Sequence, residues 1–157
     1  MLPLRNNIIG LFIFLSYGLL AQQIADFSEI SNQYHNADLV TLKNHVNIDI
    51  QTSHDQLIIQ KKTLRENIFL NEFARKYAKG NVSYSTFYRL EKIKAETEYL
   101  ENGKYQKIEI DDFFRKNEID RSFHDDITSL NFVYPKMGVG SITRLETTEQ
   151  IMNPRFL

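Results

Sequence analysis

From Leu39 onward the chain alternates. Val40, Leu42, Asn44, Val46, Ile48 and Ile50 fall on one side, and Thr41, Lys43, His45, Asn47 and Asp49 on the other. A period of two with mostly apolar residues on one side predicts a half-buried strand. Residues 51–55, QTSHD, are short polar side chains suited to a turn, and Leu57, Ile58 and Ile59 open a second strand. Residues 82–90, VSYSTFYRL, are dense in β-branched and aromatic types and predict another. Ile93, Ala95, Thr97 and Tyr99 then alternate with Lys94, Glu96 and Glu98 up to Asn102-Gly103, with Tyr105, Ile108 and Ile110 beyond. An Asn-Gly pair between alternating runs is a strong hairpin signal, because both residues tolerate the positive φ of a tight turn. Residues 127–134 predict a strand halted by Pro135 and by a turn at Gly138 and Gly140, after which residues 141–151 extend again. Residues 111–126 read as a surface excursion pinned by Phe113, Phe114, Ile119 and Phe123.

Two segments admit two readings. Residues 25–36 suit a lead-in strand or a short helix. Between 62 and 79, Thr63 and Glu66 have capping-box spacing, and Leu64, Ile68, Phe69, Phe73 and Tyr77 recur at near-helical intervals before Gly80. The rival is a strand to Leu70, a turn over residues 71–75 and a returning strand. With either, the pattern predicts an all-β or mostly β fold: twisted antiparallel sheets in a sandwich-like module, incomplete at its C-terminus because Phe156 and Leu157 end the chain on apolar residues just after a strand.

The N-terminus changes the picture of where this module works. Arg5 precedes an apolar run of 13 residues, IIGLFIFLSYGLL, which closes on Ala21 before Gln22 and Gln23. That order of base, apolar stretch and small residue predicts a signal peptide over residues 1–21, although Leu19 is an imperfect residue for the cleavage site. A membrane-spanning helix needs about 20 apolar residues, so a stable span after cleavage is not expected. The organisation predicted is 1–21 signal peptide, 22–37 lead-in segment and 38–157 β-rich accessory domain, placed in the periplasm or outside the cell.

Composition then narrows the chemistry. With 19 basic and 20 acidic residues among 157, the chain has no positive excess for a phosphate backbone, and nucleic acid is not an expected partner. Cysteine is absent, His35, His45, His54 and His124 stand in unrelated contexts, and no serine sits in a Gly-x-Ser-x-Gly turn. Nothing therefore predicts a nucleophile with an oriented base, and Ser141 after Gly140 reads as a turn residue. His124, Asp125 and Asp126 with Asp111 and Asp112 are the densest metal-type donors, but without a glycine-punctuated loop they read as a solvated acidic segment. No catalytic residue, metal site or cofactor is expected. Tyr84, Phe87, Tyr88, Tyr99 and Tyr105 are the candidate ligand surface, able to stack on a glycan or peptide if they share a face; the competing reading is cross-strand packing.

The order Asn71-Glu72, Tyr84, IKAETEY over residues 93–99, Gly103-Lys104, Ile108, Asp112-Phe113, SFHDD over 122–126, Pro135 and GVGSI over 138–142 resembles the transglutaminase-associated N-terminal domain, a domain of unknown function in exported Bacteroidetes proteins. The resemblance runs over about residues 38–157. It implies a β-rich sandwich that precedes a transglutaminase-like, papain-type domain carrying cysteine, histidine and aspartate, none of which has a counterpart here. It also implies a strand running into the Asn71-Glu72 turn, favouring two strands over a helix at 62–79. Members tend to have a glycine soon after the glutamate, where this chain has Phe73-Ala74-Arg75. The expectation is a non-catalytic exported module that supports a following domain or exported partner, or binds a peptide or glycan. The alternative is the substrate-positioning front part of a transglutaminase-like or papain-like enzyme.

Overall fold

A computed structural model of the chain describes residues 27–54, 56–117, 127–153 and 155. The predicted signal peptide, Ile119, Phe123, the 124–126 acidic segment, Phe156 and Leu157 lie outside the described residues. The chain divides into two units between Ala37 and Asp38. In the first, residues 27–33 are helical and a turn follows, with Tyr34 N–H donating to the Ile30 carbonyl at 2.9 Å and Ala37 N–H to that of Tyr34 at 2.9 Å.

The second unit is β throughout, in two antiparallel sheets. In chain order the strands are β1 (Leu39–Ser53), β2 (Gln56–Phe69), β3 (Lys79–Tyr84), β4 (Tyr88–Glu101), β5 (Lys104–Ile110), β6 (Phe114–Asn117), β7 (Thr128–Val133) and β8 (Ile142–Ile151). The large sheet has the order β1-β2-β8-β4-β5 and the small one β3-β7-β6. The small sheet packs on the β8-β4-β5 part of the large one: Val82, Ala95, Phe132 and Tyr134 form the buried centre, and Leu90, Ile93, Ile110, Phe113, Met137 and Leu145 close around it. Phe132 meets Phe113 and Tyr134 edge-on at 5.3 and 5.2 Å between ring centroids, the geometry that the ring quadrupoles favour.

Local chemistry accounts for the joints. Asn102 and Gly103 take φ of 52° and 73° and pair Glu101 with Lys104, so the expected β4–β5 hairpin forms. Ser141, which is buried, donates from Oγ to the Gly138 carbonyl at 2.6 Å and accepts from Gly138 N–H at 3.1 Å, so it is a turn residue.

The ambiguous segment is two strands about a turn, as favoured over the helix, but the strands lie in different sheets and so form no hairpin. β2 runs unbroken to Phe69, Asn71 caps a short 3-10 helix (Glu72–Tyr77) by accepting from Phe73 N–H, and β3 follows in the other sheet. Asn71 is therefore the cap, and Thr63 with Glu66 lies mid-strand. The run 82–90 is two strands, broken where Ser85 Oγ accepts from Phe87 N–H. Of the residues expected to pin the 111–126 excursion, Phe113 does so while Phe114 stands exposed in β6.

Candidate functional site

The small sheet leaves the β1–β2 end of the large sheet uncovered. Register sets the faces, since directly paired residues share one. Ile50 opposes Ile59, which opposes Ile151, which opposes Tyr88, and this row continues the face that carries Ala95 and Leu145. Val46, Ile48 and Ile50 thus lie on the core-facing side of the sheet, yet they are 48%, 47% and 54% exposed. Leu57, on the same face beside Thr52, is also exposed. The sequence expectation of a half-buried β1 is corrected here: the stripe exists, but among the described residues no second layer reaches it. A register shift between Thr41 and Lys43 also turns Val40 away from the stripe, so the six-residue apolar side read from the sequence is interrupted at its base.

The opposite face of the large sheet is polar. His45, Asn47, Lys62, Leu64, Lys92 and Glu146 line a shallow groove of about 580 Å³ across β1, β2, β8 and β4. Beside it a charge ladder crosses four strands. Arg144 donates from Nε to Glu66 at 2.7 Å and from a terminal nitrogen to Glu96 at 3.2 Å, while Lys107 and Lys94 approach Glu96 at 3.1 and 3.3 Å. Burial under these long side chains pushes the Glu96 carboxyl up, and hydrogen bonds from Lys107 and Lys94 outweigh it, so its pKa falls below the ordinary carboxylate value. At the base of β1, Asp38 accepts from Lys76 at 2.6 Å and from Asn71 at 3.1 Å, and these two bonds, that of Lys76 first, hold its pKa low.

The five aromatic candidates are not one surface. Tyr84, Phe87 and Tyr88 surround the β3–β4 connection. Tyr99 lies on the core-facing side at the far end of β4, roughly 35 Å along the strand from Tyr88, where Lys136 Nζ sits 5.6 Å over its ring. Tyr105 pairs with Leu100 on the opposite face, and burial, with Glu98 nearby, raises its hydroxyl pKa. The Asn102-Gly103 turn already implied this separation, because a two-residue turn pairs 101 with 104 and so sets Tyr105 against Leu100. The groove residues carried no such signal: β8 joins β2 to β4 only through pairing distant in sequence.

His45 faces the groove, His54 sits in the β1–β2 turn with φ of 49° and its Nδ1 3.0 Å from Ser53 Oγ, and Asp111 and Asp112 are exposed. What the described residues offer is a free strand edge, an apolar strip and a polar groove, which is chemistry for binding. Among them no helix is long and apolar enough to cross a membrane.

The sequence matches no protein-family model and no curated protein. The fold is similar to that in a crystal structure titled a "putative protease" from Parabacteroides distasonis, with a TM-score of 0.56 and 14% identity over 73% of this chain. The likeness spans 23% of that protein's chain, so this fold corresponds to about a quarter of it.

Proposed function

We propose that this protein is an exported, non-catalytic accessory module whose β1–β2 end packs against a following domain or takes up an extended peptide or glycan. The observation that carries the reading is the strip of Val46, Ile48 and Ile50, apolar and on the core-facing side of the sheet but left exposed. An apolar strip of this kind on a soluble module is characteristic of an interaction surface. The recurrence of the fold as a quarter of a longer chain supports a role beside other domains. The resemblance to the transglutaminase-associated N-terminal domain points the same way, and the likeness to part of the Parabacteroides distasonis "putative protease" favours a second reading, in which the module positions substrate for a protease-like or transglutaminase-like domain.

Amide hydrogen exchange tests this on two proteins: the chain alone, and the chain carrying whatever its gene encodes after Leu157. Slower exchange over residues 44–59 in the longer protein is the expected result. Unchanged exchange there removes the docking reading, and a cysteine, histidine and aspartate domain in the extension selects the enzyme-positioning role.

A further inference from the structure

The four sheet edges are not alike. β5, the far edge of the large sheet, carries Lys104, Lys107 and Glu109 in seven residues. β6 has four residues, and β3 has six including a glycine. Short or charged edges resist pairing with other chains. β1 is 15 residues long, lacks proline, and has only Lys43 and Asp49 as charged residues. Among the described residues it pairs with β2 alone, so one side of its backbone is open.

An antiparallel strand laid on that edge would need an acid opposite Lys43, a base opposite Asp49 and an apolar residue opposite Val46. β1 meets those requirements itself. When two copies run antiparallel with Val46 opposite Val46, Lys43 of each lies opposite Asp49 of the other, His45 opposite Asn47, and Ile50 alongside Leu42. No like charges meet. We propose that the chain forms a two-fold dimer by pairing β1 with β1 of a second copy, joining the two large sheets into one of ten strands and making the two exposed apolar strips meet at Val46. This surface is the edge of the sheet, so the inference stands apart from the packing of the strip's face on another domain.

Within one chain Lys43 and Asp49 are about 20 Å apart along β1, too far to touch, which makes a charge exchange diagnostic. Sedimentation equilibrium of the full chain should show a monomer–dimer equilibrium, and a monomer at submillimolar concentration overturns the proposal. Lys43→Glu sets one carboxylate against another, that of Asp49, at both ends of the seam and should raise the dimer Kd about tenfold. Adding Asp49→Lys should restore the original Kd, and failure to restore overturns the pairing. Since the chain has no cysteine, Val46→Cys should give a disulfide-linked dimer on mild oxidation, because opposed Cα atoms lie at about 4.5–5.5 Å. Ile50→Cys, which would sit about 27 Å from its copy, should stay monomeric on a denaturing gel. Equal cross-linking at 46 and 50 overturns the register.

Discussion

Single atoms decide much of the core. Gly80 lies opposite Phe132 in the β3–β7 pair, and the phenyl ring crosses the glycine so closely that an added Cβ would sit 2.3 Å from two ring carbons. The ring is also clasped by Phe113 and Tyr134, so it has nowhere to move. Gly80→Ala should therefore destabilise the protein by about 1–3 kcal/mol, read from the midpoint of urea unfolding. A midpoint equal to that of the natural chain would mean the ring is free to shift. The same pairing was invisible in the sequence, where Gly80 reads as a helix terminator; its actual role depends on a residue 52 positions later. By contrast, Asn102-Gly103 and Ser141 were legible because each acts on its immediate neighbours.

Between elements, the charge ladder on the outer face couples β2, β8, β4 and β5 through one carboxylate. Glu96 is buried beneath Arg144, Lys94 and Lys107, and its pKa lies below the usual value of 4.5. A carboxyl depressed on folding binds its proton more readily in the unfolded chain, so its stabilisation is complete above the ordinary carboxylate range and is lost as pH falls through the lowered folded pKa. Glu96→Gln should cost about 1–2 kcal/mol at pH 7 and progressively less as the pH drops below 4.5. Melting temperatures of the two proteins from pH 7 to pH 3 check this, and parallel curves would remove Glu96 from the acid response. Strand existence was readable along most of this sheet from period-two alternation. Which strands lie side by side was not, since β8 enters between β2 and β4 by non-local pairing, and so the partners of Glu96 could not be named in advance.

At the scale of the whole molecule, alternation tells which side of a strand is apolar but not whether another layer covers it. β1 and β4 show similar patterns in sequence, yet Ala95 is fully buried and Ile48 is 47% exposed. The difference arises because the three-stranded sheet spans β8, β4 and β5 and stops short of β1. Stability should be partitioned the same way. Phe132→Ala, which empties the space between the sheets, should cost about 3–5 kcal/mol. Ile48→Thr keeps a β-branched side chain and removes apolar surface that water already reaches, so in dilute solution it should change the unfolding free energy by less than about 0.5 kcal/mol. Urea unfolding of both variants at concentrations where the chain is monomeric makes the comparison. If Ile48→Thr is as costly as the core substitution, the strip is covered within the single chain and is no docking surface. If it is silent there but weakens association with a second copy or with a following domain, the apolar stripe of β1 serves contacts outside its own fold.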